Sequence, residues 1–134
     1  QNLTNMKQGM ASIYLAQAIG KDKSIIVRGS LDRYRDFIHV NDVVKVIIYF
    51  LFKKSDKAFG VFNIGSGKKT YVSELINKIQ KVFGTNKDIE VHEGTIGDQK
   101  GIYANNSKLM KEMNLKFIPL EEGLTLWKGY LEKK

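Results

Sequence analysis

The stretch that decides the fold is RYRDFIHVNDVVKVIIYFLF, residues 33–52. Apolar and polar side chains alternate over residues 35–40, which is the period of a β-strand, and an apolar run follows. The spacing predicts that Asn41 or Asp42 accepts hydrogen bonds from the free amides of a helix over residues 43–53. Because this helix is apolar almost all round, we expect other parts of the protein to cover several of its sides.

Strand-like and helical patterns alternate on both sides of this stretch. A helix is predicted over residues 6–19, where Gly20 ends it, and a β-branched strand over residues 24–28. Further along, the patterns predict strands over residues 58–64 and 89–93, a helix capped by Thr70 and ended by Gly84, a short helix near 107–113 and a last helix after Pro119. The alternation predicts an α/β fold with one domain over residues 1–134.

Composition excludes several classes of protein. With 43% hydrophobic residues, 27% charged residues and one proline in 134, the chain is neither disordered nor collagen-like. The absence of cysteine excludes disulfides, thiolate nucleophiles and cysteine-based zinc sites, and it fits a cytoplasmic protein. The longest apolar run is far shorter than the roughly 20 residues that span a bilayer, so we expect no membrane segment. Since the chain begins at Gln1, we expect it to be a fragment of a longer protein.

The charge balance predicts an anionic partner. Lysine and arginine number 22 against 14 acidic residues, a net charge of +8. A basic nucleic-acid-binding module is one interpretation, because residues 33–37 interleave aromatic and basic side chains. However, the lysines are scattered along the chain with carboxylates among them, which is typical of a solvated surface and makes nucleic acid the less favoured partner.

The glycine-rich segment GSGKKT, residues 65–70, resembles the end of a phosphate-binding loop. Such a loop requires a glycine five residues before the Gly-Lys pair, and Phe62 stands there. No glycine triplet of the dinucleotide-binding type follows a strand either. We therefore interpret residues 65–67 as a turn that leads into a helix.

Other residue types suited to catalysis do not form a site in the sequence. Tyr-x-x-x-Lys occurs at Tyr49/Lys53 and at Tyr130/Lys134, but no serine partner or cofactor loop accompanies either pair. The two histidines, His39 and His92, are too few and too isolated to bind a metal ion. We expect no catalytic residue and no metal ligand in this chain.

Arg35 is the strongest candidate for a binding residue. A guanidinium at the mouth of a short strand can bind a phosphate through two parallel hydrogen bonds, each worth roughly 1.5–3 kcal/mol. The alternative is a salt bridge between Arg35 and a neighbouring carboxylate.

Six ordered motifs together resemble one enzyme family. They are QGMASI at residues 8–13, IVRGS at 26–30, RDFIHVNDVV at 35–44, NIGSG at 63–67, TIGDQ at 95–99 and YANNSK at 103–108. In this order they resemble the C-terminal half of extended short-chain dehydrogenases/reductases, most nearly the nucleotide-sugar epimerases and dehydratases of the UDP-galactose 4-epimerase type. The resemblance covers nearly the whole chain.

The resemblance implies the substrate-binding part of an NAD-dependent sugar-nucleotide 4-epimerase, with a 4,6-dehydratase as the alternative. NAD and the catalytic residues would lie on a Rossmann domain that is absent here, so this fragment alone would be inactive. By the same resemblance, Arg35 would bind the diphosphate, Asp98 the ribose hydroxyls, Val27 and its strand the base through backbone groups, and Gln8 the phosphate end. A stand-alone regulatory domain without a catalytic half is a further alternative.

Two positions depart from the family pattern. Many relatives have a second phosphate-binding arginine where this sequence has Thr95, and an acidic residue where it has Asn41. The first departure removes one expected phosphate ligand, and the second concerns helix capping. The resemblance also implies that the helix over residues 43–52 packs against the absent domain. We therefore expect an exposed apolar patch there, through which the fragment forms homodimers or aggregates.

Overall fold

Five helices alternate with four short strands over residues 9–53 and 60–133, which the computed structural model describes. The elements are α1 (Met10–Ile19), β1 (Ser24–Arg28), β2 (Tyr34–Arg35), α2 (Val40–Phe52), β3 (Thr70–Tyr71), α3 (Val72–Phe83), β4 (Asp88–His92), α4 (Ser107–Glu112) and α5 (Leu120–Leu131). The α/β class is confirmed. The predicted C-terminal end of α1 and both ends of β1 are confirmed as well. Gly9 of the predicted first helix is its N-cap and not helical, and residues 6–8 lie outside the described part.

The strands form two small sheets. β1 and β4 are parallel, with Ser24 opposite Asp88 and Arg28 opposite His92. β2 and β3 are antiparallel, and a single bridge joins Tyr34 to Gly101. Because parallel strands end at the same edge of a sheet, the loops that follow β1 and β4 leave from one edge, where α/β proteins usually bind their ligands.

The hydrophobic core lies between β1 and three helices, α1, α3 and α5. α3 contributes a continuous apolar stripe that includes Leu75, Ile76 and Ile79, all fully buried. It ends at Gly84, whose φ of 69° is left-handed and is readily adopted by glycine. The predicted stripe and the predicted helix end are both confirmed.

Helix α2 begins earlier than predicted. It starts at Val40, and its N-cap is His39, whose Nδ1 accepts a hydrogen bond from the Asn41 amide at 3.1 Å. The prediction that Asn41 or Asp42 caps this helix is therefore wrong. Asp42 lies in the first turn and is fully buried, where it accepts a hydrogen bond from the Ile118 amide at 2.7 Å.

The outer side of α2 is exposed and apolar, as expected. Buried side chains of α2 include Val46 and Asp42, but the opposite side shows large aliphatic and aromatic groups. These exposed residues are Val40, Val44, Ile47, Ile48, Leu51 and Phe52. We call them the α2 apolar face.

Three local predictions around the strands are wrong. Of the alternating segment 35–40, only Arg35 lies in a strand (β2), because Asp36, the next residue, bonds to two loops instead of to a neighbouring strand. Residues 60–64 of the predicted strand over 58–64 lie outside any strand, and residues 58 and 59 lie outside the described part. Thr70 does not cap α3, because it lies in β3, where it pairs with Arg35 of β2. The N-cap of α3 is Tyr71.

Within residues 9–53 and 60–133, the search for a helix with the length and apolarity needed to cross a bilayer finds none.

Candidate functional site

Two arginines meet the loop that follows β4 at the carboxyl edge of the parallel pair. We call Arg33, Arg35, Asp98 and Gln99 the arginine corner. Arg35 is half-buried in β2, where its Nη1 donates to the Tyr34 carbonyl at 2.8 Å and lies 3.5 Å from the Gln99 carbonyl oxygen. In the described part of the chain no carboxylate forms an ion pair with Arg35, so the predicted alternative of a salt bridge is not what the structure has. Its charge is available to an anion.

Arg33 has a different environment, although it is only two residues away. Its Nη1 forms an ion pair with Asp98 Oδ2, across 65 positions of sequence. It also donates to the carbonyls of Arg28 and Ser30. Sequence reasoning missed this role, because a contact over such a separation leaves no local pattern.

The other predicted binding residues lie near the corner or outside the described part. Val27 is fully buried opposite Val91, so its side chain belongs to the core and only its backbone could meet a ligand. It directly precedes Arg28, whose carbonyl binds Arg33. Gln8 lies outside the described residues. The structure thus brings Val27, Arg35 and Asp98 into one neighbourhood.

A buried phenol lies beside the corner on the side of α1. Tyr14 is 5% exposed and is part of the core. Burial raises the pKa of Tyr14, while the neighbouring Arg33 guanidinium acts in the opposite direction without reversing the shift. Arg33 therefore lies between the core and the Asp98 loop.

Asp36 directly follows Arg35 but bonds inward. Its Oδ1 accepts from the Ser66 amide at 2.9 Å and the Ser66 hydroxyl at 2.5 Å. Its Oδ2 accepts from the Gly67 amide at 2.9 Å and the Ala104 amide at 3.1 Å. Burial alone raises the pKa of Asp36, but these hydrogen bonds together bring it below its usual value. We call this group, Asp36 with Ser66, Gly67 and Ala104, the Asp36 node.

The Asp36 node explains the glycine-rich segment. The amides that a phosphate-binding loop would direct at its ligand are bonded to the Asp36 carboxylate. Glycine is required at position 65, because a Cβ there would lie 2.5 Å from the Ala104 Cβ and 2.8 Å from Asp36 Oδ2. Residues 65–67 form a bend and loop that lead through β3 into α3, so the prediction that they do not form a phosphate-binding loop fits the structure, whereas the strand predicted before them is absent over the described residues 60–64.

The Tyr49/Lys53 pair joins two helices. The Tyr49 hydroxyl donates to the Glu112 carbonyl at 2.8 Å, and the Lys53 ammonium forms an ion pair with the Glu112 carboxylate. These contacts fix the end of α2 to the end of α4, which is a structural role. Of the second pair, Lys134 lies outside the described residues.

The histidines and acidic groups do not assemble a metal site in the described part of the chain. His39 caps α2, and His92 Nε2 lies 3.5 Å from a Glu90 oxygen at the end of β4. No group of three or more potential metal ligands is found within residues 9–53 and 60–133.

An apolar cavity of about 220 Å³ lies between α1, α5 and the segment that leads into α2. Phe37, Leu124 and Trp127 are among its lining residues, and His39 is the one titratable side chain there. Such a lining does not suit a diphosphate. The arginine corner is therefore the better candidate for an anion site.

Comparisons with known proteins identify the family of the chain. The NAD dependent epimerase/dehydratase family matches residues 4–65. UDP-arabinose 4-epimerase 1 of Arabidopsis thaliana is 33% identical over 97 residues, which are 70% of this chain and 23% of that protein. The chain belongs to the NAD-dependent epimerase/dehydratase family. The resemblance seen in the sequence motifs is thereby confirmed.

Solved structures show the same fold for nearly the whole chain. UDP-glucose 4-epimerase from Thermotoga maritima, solved with UDP-glucose, is 25% identical with a TM-score of 0.79 over 93% of this chain and 40% of that one. A dTDP-glucose 4,6-dehydratase from Bacillus anthracis, solved with NAD, is 24% identical with a TM-score of 0.78 over 95% of this chain and 40% of that one. The second likeness shows the fold alone.

The comparisons also bear on the alternatives. Curated relatives that match this chain include several UDP-sugar 4-epimerases, which supports the epimerase interpretation over the nucleic-acid-binding one. The chain spans about a quarter of the length of these relatives and about two fifths of the solved structures.

Proposed function

We propose that residues 1–134 form a single domain, the C-terminal nucleotide-sugar-binding portion of an NAD-dependent sugar-nucleotide 4-epimerase. The observation that carries the proposal is the Arg35 guanidinium, which has no carboxylate partner in the described residues and lies beside Asp98 at the carboxyl edge of β1 and β4. A UDP-glucose 4-epimerase of the same fold holds UDP-glucose, which supports a nucleotide diphosphate as the anion.

Each expected ligand residue has a role that suits its chemistry. Arg35 binds the diphosphate through parallel charged hydrogen bonds. Asp98 accepts hydrogen bonds from the ribose hydroxyls, because a carboxylate has more acceptor sites than its ion pair with Arg33 uses. The strand that contains Val27 faces the base with backbone groups. Gln8 lies outside the described residues, and its contact with the phosphate end stays a prediction from the family resemblance.

The described residues do not fit NAD. The glycine-rich segment 65–67 has its Ser66 and Gly67 amides bonded to Asp36, so it does not hold a pyrophosphate. NAD would bind a Rossmann domain outside this chain, where it accepts and returns the hydride at sugar C4. This chain would hold the nucleotide so that the sugar points away from the arginine corner. Alone, it would be inactive, and its lack of cysteine suits the cytoplasm.

The α2 apolar face is the surface on which we place the absent Rossmann domain. Leu51 and Phe52 are 72% and 77% exposed, and they belong to a set of exposed apolar side chains on one helix, the kind of patch that marks an interaction surface. Without that domain, two copies of the chain would cover the face by pairing. Light scattering should show a homodimer or larger species that Leu51→Glu converts to a monomer. A monomeric wild-type chain at high concentration would contradict this part of the proposal.

Ligand-observed NMR tests the binding function. UDP, dTDP, CDP and GDP are offered separately to the chain, with NAD as the ligand that should not bind. We expect one diphosphate to bind and Arg35→Ala to weaken it at least about tenfold, the equivalent of one charged hydrogen bond. Lys21→Ala is the matched control, because it removes a positive charge beyond the opposite end of β1. Absence of binding, or binding that Arg35→Ala leaves unchanged, would refute the proposal.

A further inference from the structure

The turn that ends β1 supplies two backbone carbonyls that bind the Arg33 guanidinium. Its Nε donates to the Ser30 carbonyl at 3.2 Å, and its Nη2 donates to the Arg28 carbonyl. The remaining nitrogen, Nη1, donates to Asp98 Oδ2. Every nitrogen of the guanidinium thus has an acceptor, two on the backbone and one on a carboxylate.

Glycine at position 29 leaves room for the Arg33 guanidinium. Gly29 has a φ of 87°, a conformation that L side chains rarely adopt. A Cβ there would lie 3.0 Å from Arg33 Cζ and 3.3 Å from its Nε and Nη1. The backbone therefore approaches the guanidinium closely enough that a side chain at position 29 would displace it.

The two partners of the ion pair differ in exposure. The Arg33 side chain is 12% exposed and the Asp98 side chain 30% exposed. The positive partner is therefore the buried and anchored one, and the carboxylate is the outward one. Asp98 Oδ1 accepts no hydrogen bond within the described residues, so that oxygen is available to a ligand.

The loop that holds Asp98 has no packing of its own. Every residue from 91 to 100 is exposed, and Ile96 is fully exposed. Burial of side chains therefore does not fix the loop, and polar contacts to Arg33 and Tyr34 hold it. The bond from the Tyr34 amide to the Lys100 carbonyl, at 3.0 Å, holds its far end, and the Arg33 ion pair holds Asp98 itself.

We propose that Arg33 is a positioning residue that orients the Asp98 carboxylate toward the ribose hydroxyls of the bound nucleotide. Each of its three nitrogens already donates to a protein acceptor and its charge is balanced by Asp98, so Arg33 suits the carboxylate better than the phosphates. The two arginines of the arginine corner thus have different roles. Arg35 binds the diphosphate, and Arg33 orients the Asp98 carboxylate. This inference rests on the proposed function, since it assigns a part within that nucleotide site.

Ribose selectivity is the readout that separates positioning from a structural role. The affinities of UDP and of its 2′,3′-dideoxy analogue are measured by titration calorimetry on the wild-type chain. We expect UDP to bind at least about tenfold more tightly, because the analogue lacks the hydroxyls that donate to Asp98. In Arg33→Gln this preference should fall to about twofold, while the affinity for the dideoxy analogue changes little.

Four further variants complete the design. Asp98→Asn should lose the same preference, and the double variant should lose no more than either single one, because the two residues act as a unit. Arg33→Lys keeps the charge but not the planar fork, so it should give an intermediate preference. If Arg33→Gln does not fold, Arg33→Lys carries the test. Lys21→Gln is the matched control and should keep the wild-type preference.

The outcomes distinguish this inference from the proposed function. Absence of binding of UDP and of the other three diphosphates by the wild-type chain would overturn both. UDP binding with a ribose preference that Asp98→Asn abolishes and Arg33→Gln or Arg33→Lys retains would overturn the inference alone. Equal weakening of both ligands in the Arg33 variant would also overturn it, because that result indicates a structural role. A loss that grows from uridine to UDP in the Arg33 variant would instead assign Arg33 to the phosphates.

Discussion

The arginine corner and the Asp36 node begin at adjacent residues, yet they are built on opposite principles. In the node, the Asp36 carboxylate accepts four hydrogen bonds from two loops, so no acceptor capacity is left for a ligand. In the corner, Arg35 touches carbonyl oxygens and has no carboxylate partner among the described residues. Asp98 likewise keeps one oxygen without a partner in the part of the chain that the structure describes.

The difference shows how a short motif serves folding and binding together. An internally satisfied ionic group adds stability and orders the segments it joins, whereas an incompletely satisfied one retains binding capacity. Because Asp36 fixes the backbone at its own position, the strand that presents Arg35 is held in place as well. We therefore expect damage to the node to lower stability, and damage to the corner to lower binding.

The largest effect is expected from Asp36→Asn. An amide has one acceptor oxygen, and its NH₂ would face backbone donors, so at least one charged hydrogen bond is lost and a buried amide is left unsatisfied. We expect the free energy of unfolding to fall by about 3 kcal/mol. Urea denaturation of the chain measures this change.

Asp32→Asn is the control for the node. Asp32 is exposed and close in sequence, so its substitution should change stability by less than about 0.5 kcal/mol. Equal effects of Asp36→Asn and Asp32→Asn would show that the node does not stabilise the fold.

A smaller effect is expected from Gly65→Ala, which adds a methyl group inside the node. The new Cβ would meet Ala104 Cβ at 2.5 Å, and the backbone would have to shift. Overpacking of this kind costs about 2 kcal/mol. Gly129→Ala is the opposite case, because a Cβ at that position of α5 meets nothing within 4 Å. Thermal denaturation should show a lower midpoint for Gly65→Ala and a higher one for Gly129→Ala, where the gain is up to about 1 kcal/mol.

Local patterns predicted the parts of the fold that depend on local chemistry. The stripe of α3, its end at Gly84 and the short β1 strand follow from periodicity and backbone preference, and the structure has them. The cap of α2 was mispredicted, because His39 takes that place while Asp42 binds the distant Ile118 amide. Strand alternation after Arg35 failed for a similar reason, since Asp36 bonds to residues 30 and 68 positions away.

The sequence likewise predicted only part of the candidate site. Arg35 and Asp98 were found from the residue type and the family resemblance, and both lie at the arginine corner. Arg33 was not identified as the partner of Asp98, because the ion pair depends on how the loops after β1 and β4 meet. Such long-range contacts come from tertiary structure and have no periodic signal in the sequence.

The response to pH gives a further test of the node. Since the pKa of Asp36 is lower in the folded chain, its ionised form is favoured by folding. The contribution is fully present above the unfolded pKa of about 3.9 and is lost as the pH falls through the lower folded pKa. The stability difference between wild type and Asp36→Asn should therefore stay constant above about pH 5 and shrink below about pH 4. A difference that grows on acidification would contradict the direction of this shift.

The smallest change in stability is expected at Arg35, and its size decides whether the two regions are separate. Arg35→Ala removes one hydrogen bond of 2.8 Å and a contact at 3.5 Å, both to carbonyl oxygens that also accept from water when exposed. The free energy of unfolding should fall by less than about 1 kcal/mol, while diphosphate binding falls at least about tenfold. Urea denaturation and NMR titration of the same sample measure both quantities. A stability loss as large as that of Asp36→Asn would mean that Arg35 belongs to the framework of the fold, and that the anion must be bound elsewhere.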